Sequence, residues 1–267
     1  MGEVRGDDCA AADAAEAALV GEAIDRAAAR SDSARRAAQQ FERLARTLSE
    51  LARAVEPQVR RLEHEASVAL RSARVKLLAF SDLHRDLGRA RRLAGMAAEA
   101  DVVIAAGDFA SIHRGLEETL APLRQIDTPT LLVPGNNETE AALREACSGW
   151  EAAAVLHGEG TEIDGTAFWG LGAGVPVTPW DWSFDLDEEQ AAGRLTGCPE
   201  GAVLALHSPP KGHVDAGLGS EAILRAIEEK RPPLAVCGHI HQCWGQESRV
   251  GPTRIVNLGP DGTVLEV

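Results

Sequence analysis

Three apolar runs between Val75 and Glu138 decide the fold of this chain: VKLLAFSDLH (75–84), DVVIAAGD (101–108) and TLLVPGNNE (130–138). Each run is short, rich in Val, Leu, Ile and Ala, and ends at Gly or a small polar residue, as a strand buried on both faces does. The segments between them have helical composition, so the order β-α-β-α-β predicts a largely parallel sheet. Because ligands of open α/β sheets bind outside the carboxyl ends of the strands, we expect the polar residues that end these runs on one rim.

The second half of the chain completes this rim. The run AVLAL (202–206) ends in His207, and LAVC (234–237) is followed by Gly-His-Ile-His with its histidines at 239 and 241. Residues two apart in an extended segment project to the same side, so His239 and His241 can both face one site. The same spacing serves Asp82 and His84 in the first run. The chain therefore carries, in order, Asp-x-His, Gly-Asp, Gly-Asn, His and Gly-His-x-His, each at a strand end.

Carboxylate, imidazole and carboxamide oxygen are ligands that suit divalent transition metals. The five blocks resemble the calcineurin-like metallophosphoesterase family from about Val75 to the C-terminus. The resemblance implies an α/β fold, a four-layer α/β/β/α sandwich, and two divalent metal ions, with Mn favoured and Fe, Zn, Co or Ni open. It also implies that Asp108 bridges the ions, that one ion is held by Asp82, His84 and His241, and the other by Asn136, His207 and His239.

By the same resemblance, the protein is a hydrolase of phosphate esters that acts by in-line attack of a metal-bridging hydroxide. Many members read Gly-Asn-His, with the histidine as general acid, whereas this chain reads Gly-Asn-Asn-Glu at 135–138. General acid catalysis is typically worth about 10²- to 10⁴-fold. We expect that Asn137 supplies a neutral hydrogen bond, that His113 approaches the leaving group, or that Arg85 clamps a phosphate oxygen.

The vacant acid position resembles phosphodiesterase branches of the family, so a small phosphodiester, nucleotide-like or other, is the favoured substrate. Two alternatives stay open: a phosphomonoesterase, and a non-catalytic metal-binding scaffold or regulatory protein that uses its helical extension to bind a partner. Taken singly, His207 could be a hydrogen-bonded core histidine and Asp108 a helix cap. Taken together, their order along the chain favours a metal site.

Charge and composition restrict the partners further. Residues 1–74 hold 12 basic and 13 acidic residues, which leaves 15 basic and 28 acidic residues for 75–267. Such an acidic domain repels a polyanion, so long nucleic acid is a poor substrate and a nuclease is disfavoured. No apolar run reaches the roughly 18 residues that a membrane span needs, and the odd set of five cysteines argues against a disulfide framework. We expect a soluble, cytoplasmic protein without membrane contact.

The domain prediction is a helical extension over 1–74 and a metallophosphoesterase domain over 75–267, with the first 32 or so residues weakly helical or disordered. An apolar stripe along the extension consists of Phe41, Leu44, Leu48, Leu51, Val55, Val59, Leu62, Ala66 and Ala69. Pro57 interrupts it, which predicts a kink or a break between two helices. Residues 33–74 then form either a hairpin or coiled coil for self-association or a protein partner, or an amphipathic pair packed on the catalytic domain.

A Gly/Pro loop after the predicted strand TAFWGLG (166–172) carries Trp180 and Trp182. Two nearby indoles on a loop can form an apolar lid or a stacking platform for a base or aryl group. They can equally fill a gap between the loop and the sheet. Both interpretations stay open at the level of sequence.

Overall fold

The structure is a computed structural model that describes residues 18–19, 32–72 and 74–267. The expectation of a weak helix or disorder at the start of the chain lies almost wholly outside these residues. The chain divides into two compact units, with the boundary between Val68 and Ala69. No helix in the described ranges is both long and apolar enough to cross a bilayer.

Most of the described residues of the first unit belong to one long helix, which ends four residues beyond the boundary. Helix α1 runs over Asp32–Ser72 without interruption and includes Pro57. The expected break into two helices is therefore wrong, and with it the helical hairpin and the amphipathic pair, while a kink at Pro57 stays a prediction. A proline inside a helix removes one backbone hydrogen bond, at a cost of about 3 kcal/mol, and the flanking Ala, Leu, Arg, Glu and Gln residues are strong helix formers that offset it. The large apolar side chains of the stripe are exposed: Phe41, Leu44, Leu48, Leu51, Val55, Val59 and Leu62.

The second unit is built from eleven strands and five α-helices of the described chain. The strands are β1 Lys76–Phe80, β2 Val102–Ala105, β3 Thr130–Leu132, β4 Ala153–Val155, β5 Glu159–Ile163, β6 Thr166–Leu171, β7 Val203–Leu206, β8 Leu234–Cys237, β9 Glu247–Val250, β10 Thr253–Asn257 and β11 Thr263–Glu266. The helices are α2 Leu87–Met96, α3 Leu116–Leu120, α4 Glu140–Ala146, α5 Glu188–Leu195 and α6 Glu221–Lys230.

The strands form two sheets. The first has the order β11-β1-β2-β3-β4, with β1 to β4 parallel, as the repeated strand–helix pattern predicts, and β11 antiparallel to β1. The second has the order β5-β6-β7-β8-β10-β9, in which β6, β7, β8 and β10 are parallel and the two edge strands are antiparallel. The carboxyl ends of the parallel strands therefore lie at a common edge of each sheet.

Three hydrophobic clusters fix the layers. The two sheets pack face to face through side chains such as Leu77 of β1, Ile104 of β2 and Phe168 of β6. Helices α2, α3 and α4 cover the outer face of the first sheet, where Leu93 and Leu143 are fully buried. Helices α5 and α6 cover the second sheet. The predicted four-layer α/β/β/α sandwich is confirmed.

Two short edge strands, β5 and β9, have no counterpart among the predicted elements. Strand β5 forms a hairpin with β6 through Asp164 and Gly165, which both have positive φ, 48° and 78°. An Asp-Gly pair between two extended segments is a strong hairpin signal, so this strand is detectable from the sequence.

Candidate metal centre

The rim expected from the strand ends exists. Asp82 and His84 follow β1, Asp108 follows β2 and Asn136 follows β3, while His207, His239 and His241 follow β7 and β8 of the second sheet. Six of these residues form two groups whose candidate ligand atoms lie within 4.8 Å of one another: Asp82, His84 and His241, and then Asp108, His207 and His239.

Glycines let the loops of the rim approach each other closely. A Cβ at Gly135 would lie 2.0 Å from Oδ1 of Asp108, and a Cβ at Gly238 would lie 2.6 Å from Oδ2 of Asp82. No side chain fits at either position without moving a carboxylate. The glycines beside the candidate ligands are therefore steric requirements of the site.

Two histidines are oriented by backbone carbonyls. Nδ1 of His84 lies 3.2 Å from the Ala110 carbonyl, and Nδ1 of His207 lies 2.8 Å from the Ala106 carbonyl. A carbonyl only accepts, so each Nδ1 carries the hydrogen, and in the neutral ring the Nε2 lone pair points into the site. Nε2 of His84 lies 3.1 Å from Nε2 of His241. Such convergence of ring nitrogens is typical of rings that bind a cation.

Asp108 belongs to the second group and also faces the first. Its Oδ2 is 3.5 Å from Nε2 of His84, and its Oδ1 is 3.5 Å from Nε2 of His207. One carboxylate thus faces both groups, with one oxygen toward each. Burial, which disfavours the charged form, raises the pKa of Asp108 to about 6. Burial also opposes charging of His207, but the Asp108 and Asp82 carboxylates outweigh it and raise the pKa of that imidazole.

Asn136 presents its oxygen to the second group. Its Nδ2 donates to Oγ of Ser183 at 2.8 Å, and its Oδ1 lies 3.3 Å from Nε2 of His207 and 3.1 Å from Nδ1 of His239. Burial, with nearby histidines, lowers the pKa of His239 to about 3, so this imidazole is neutral and has a free lone pair at pH 7.

Asp82 anchors the other end of the rim. Its Oδ1 accepts from the backbone N–H of His239 at 3.1 Å, and its Oδ2 accepts from Nε1 of Trp244 at 3.0 Å. The Trp244 ring also packs on His241, with centroids 4.4 Å apart. Burial is the largest influence that lowers the pKa of His241. The donor set of carboxylates, imidazoles and an amide oxygen fits two divalent cations.

Glu138 is a functional candidate for which the sequence predicts no role. Its Oε1 accepts from the backbone N–H groups of Asp108 at 2.8 Å and Gly135 at 2.7 Å, and its Oε2 accepts from that of Ala110 at 2.9 Å. Glu138 is buried, which raises its pKa to about 7, and the backbone donors act in the opposite direction. It therefore fixes the loops after β2 and β3 relative to each other. The only sequence signal is a carboxylate placed three residues after a strand-end glycine.

Asn137, which occupies the family's histidine position, is fully engaged. Its Nδ2 donates to Oδ2 of Asp108 at 2.8 Å, its Oδ1 accepts from the Ile112 N–H at 2.9 Å, and its own N–H donates to Oδ1 of Asp108 at 2.9 Å. The side chain orients the central carboxylate.

His113 and Arg85 lie outside the lining of the cavity at the rim. The His113 ring hydrogen-bonds through Nε2 to the Trp182 carbonyl, and its N–H donates to the Asn137 carbonyl at 2.9 Å. Arg85 is exposed and packs beside Gly115, where an added Cβ would lie 2.4 Å from its Nε. Their roles toward a leaving group and a phosphate stay predictions.

A cavity of about 620 Å³ opens directly onto the rim. One side is formed by the candidate ligands His84, Asp108, Asn136, His239 and His241. The other side is largely apolar and includes Trp180 and Trp182, with Trp180 half exposed. The two indoles therefore border the cavity.

Comparisons with known proteins agree with this geometry. A family profile described as the calcineurin-like phosphoesterase superfamily domain matches residues 75–265. TT1561 of Thermus thermophilus is similar with a TM-score of 0.60 and 17% identity, over 73% of this chain and 99% of that chain. A dimetal phosphatase from Danio rerio is similar with a TM-score of 0.49 and 14% identity, over 70% of this chain and 88% of that chain. A novel archaeal phosphodiesterase is similar with a TM-score of 0.45 and 15% identity, over 72% of this chain and 99% of that chain. A search of curated proteins finds no match.

At 17% identity TT1561 bears on the fold alone, whereas the family profile covers most of the chain. The resemblance inferred from the strand-end blocks is confirmed. Two candidate metal-binding groups at the carboxyl ends of parallel strands are what a dimetal phosphoesterase requires. The chain belongs to the calcineurin-like phosphoesterase superfamily, whose members are metal-dependent phosphoesterases.

Proposed function

We propose that this protein hydrolyses small phosphodiesters at a dinuclear metal centre. The ligands are Asp82, His84, Asp108, Asn136, His207, His239 and His241. The observation that carries the proposal is the position of Asp108, whose two oxygens each face one of the two ligand groups at 3.5 Å. A carboxylate in that position can bind two cations at once.

When bound, two divalent ions supply Lewis-acid charge to the phosphoryl oxygens and lower the pKa of a shared water. Other groups of this protein orient the side chains that would bind the two ions. Asn137 and Glu138 orient Asp108, and Ser183 orients the amide of Asn136. The His84 and His207 rings are held by backbone carbonyls, so little reorganisation is needed on binding.

We infer that no side chain of the cavity, among the described residues, protonates the leaving group. Among the described residues that line the cavity, the ionisable side chains are candidate metal ligands, and the amide of Asn137 is engaged by Asp108 and Ile112. The favoured substrates are thus esters whose leaving group departs as a stable anion. Phosphodiesters are favoured over monoesters because the cavity extends from the ligands along an apolar wall with room for a second ester group. A monoesterase is the alternative.

The test compares the Mn²⁺-loaded protein with Asp108→Ala on bis(p-nitrophenyl) phosphate and p-nitrophenyl phosphate, with metal content measured for both. We expect faster diester turnover. For Asp108→Ala, we expect a loss larger than the roughly 10- to 100-fold that removal of an outer-shell partner causes. Faster monoester turnover would reverse the substrate preference. Unchanged turnover in Asp108→Ala would remove the two-metal proposal.

We also propose Mn²⁺ as the favoured metal, since the carboxylate and amide oxygen ligands suit it and no thiolate is present among them. Fe, Zn, Co and Ni fit the same donors. Reconstitution of the chelated protein with each metal in turn, followed by the diester assay, ranks them.

The exposed stripe of α1 supports self-association. Phe41, Leu44, Leu48, Leu51 and Val55 alternate steps of three and four, as the seam of a coiled coil does. The positions that flank the seam are small: Ala45, Thr47, Ala52 and Ala54. Charges near the seam pair within the helix, Glu42 with Arg46 and Glu56 with Arg60. Such a seam fits a second copy of itself, and we propose that copy as its partner.

A further inference from the structure

The wall of the cavity that faces the candidate ligands is apolar. Its large side chains include Ile112, Val177 and Leu218, which are 53%, 61% and 64% exposed. Pro176, Pro179, Trp180 and Trp182 complete it. Exposed apolar side chains gathered around one cavity, beside convergent polar groups, are typical of a ligand site.

Trp180 and Trp182 form a flat aromatic surface on this wall. Their rings stack with an interplanar angle of 13° and centroids 5.6 Å apart. The Trp182 ring covers one face of the Trp180 ring. Trp180 is half exposed, so part of its ring stays accessible. An open indole face stacks favourably on another aromatic ring, largely independent of that ring's substituents.

The loop that carries the tryptophans is tied directly to a candidate metal ligand. Ser183 accepts from Nδ2 of Asn136 at 2.8 Å and donates to Asp185 at 2.7 Å. Asp185 also accepts from the backbone N–H and the hydroxyl of Thr178, both at 2.7 Å. The Phe184 N–H donates to the Asn136 carbonyl at 2.9 Å. The loop is therefore anchored to a candidate ligand, and both line one cavity, so the wall is the apolar surface offered to an ester group of a phosphate held at the centre.

The charge of the cavity limits what that ester group can be. Among the described residues, no lysine or arginine lines the cavity. A second phosphate on the substrate would meet no cationic side chain there. The wall suits an uncharged group and disfavours a polyphosphate.

We propose that the apolar wall binds an aromatic ester group, aryl or nucleobase, of a substrate with a single phosphate, with Trp180 as the stacking surface and Leu218 and Val177 at its margin. This inference rests on the proposed function, because it presumes that the phosphate is held at the metal centre. The contacts with the wall then distinguish one substrate from another, whereas the phosphate binds the metal centre in the same way in every substrate.

The test is calorimetric binding of phenylphosphonate and methylphosphonate to the Mn²⁺-loaded full chain, since both ligands present the same phosphonate and differ only in the ring. We expect phenylphosphonate to bind about tenfold more tightly. Trp180→Ala should reduce that preference to within about twofold and leave methylphosphonate binding unchanged. Leu218→Ser, on an exposed side chain, should reduce it in the same direction and serves if Trp180→Ala does not fold.

Val264→Ala is the matched control, because Val264 is also an exposed apolar residue, 53% exposed, but lies on β11 outside the cavity. Equal affinity of the wild type for both phosphonates would overturn the inference, as would equal weakening of both by Trp180→Ala. A retained ring preference without hydrolysis of bis(p-nitrophenyl) phosphate would count against the proposed function and leave the binding site standing. Hydrolysis of bis(p-nitrophenyl) phosphate without a ring preference would overturn the inference and leave the proposed function standing.

Discussion

Glu138 shows how a single buried side chain sets the geometry of the centre. Its three hydrogen bonds with backbone N–H groups require both carboxylate oxygens as acceptors. A glutamine would turn an amide N–H₂ toward a backbone donor. We expect Glu138→Gln to displace Asp108 and to lower Mn²⁺ affinity and turnover by roughly 10- to 100-fold. Calorimetric titration with Mn²⁺ measures the effect. Glu145→Gln, at an exposed position of α4, is the control and should bind as the wild type does.

His157 makes the fold sensitive to acid. The side chain is fully buried, its Nδ1 accepts from the Gly172 N–H at 3.0 Å, and its Nε2 has no hydrogen-bond partner in the described chain. Burial, with the nearby Arg194, lowers its pKa from 6.5 to about 4. Between these two values the unfolded chain binds a proton that the folded chain does not, so stability falls as the pH falls through this window.

We therefore expect His157→Asn, which keeps an acceptor for Gly172, to flatten the pH dependence of the free energy of unfolding. From pH 7 to about pH 5 the wild type should lose about 2 kcal/mol more than the variant. Urea unfolding of both proteins at the two pH values gives the difference. Parallel losses in the two proteins would show that the imidazole stays charged or solvated in the fold.

At the scale of single elements, α1 differs most from an ordinary surface helix because its largest apolar side chains are exposed. Burial of a leucine against a partner helix contributes roughly 1.5 to 3 kcal/mol, so several of them favour association. We expect the full chain, 28.2 kDa as a monomer, to elute as a dimer by light scattering, and Leu48→Lys/Leu51→Lys to elute as a monomer. Glu50→Lys changes charge without touching the seam and should stay dimeric. A monomeric wild type would contradict self-pairing.

At the scale of the whole molecule, the candidate ligands join the two sheets. Asp82, His84, Asp108 and Asn136 follow strands of the first sheet, and the remaining histidines follow strands of the second. A cation that binds only the folded chain stabilises it by about 2.7 kcal/mol at a concentration 100 times its dissociation constant. We expect Mn²⁺ at that excess to raise Tm by about 5 to 10 °C over the chelated protein. Differential scanning calorimetry measures the shift, and Asp108→Ala should show a smaller one.

Much of this molecule can be predicted because its chemistry lies at strand ends. A short apolar run followed by Asp82 or His207 gives both the strand and the rim position of the side chain. The order of these blocks along the chain carries the family resemblance, and that resemblance implies the candidate ligands and the sandwich. The role of Glu138 cannot be predicted in this way, since it depends on backbone N–H groups of two loops. The continuity of α1 through Pro57 escapes prediction because one lost hydrogen bond is small beside the propensity of a 41-residue helix.

The pairing of β11 with β1 has a consequence for biosynthesis. Of the described strands, β1 leaves the ribosome first and β11 last, so one edge of the first sheet stays open while the rest of the domain is translated. Nascent chains carry Leu77 and its neighbours next to unpaired peptide groups during that interval, which is a template for wrong intermolecular pairing. Premature stop codons before Thr263 should consequently yield inclusion bodies instead of a shortened enzyme.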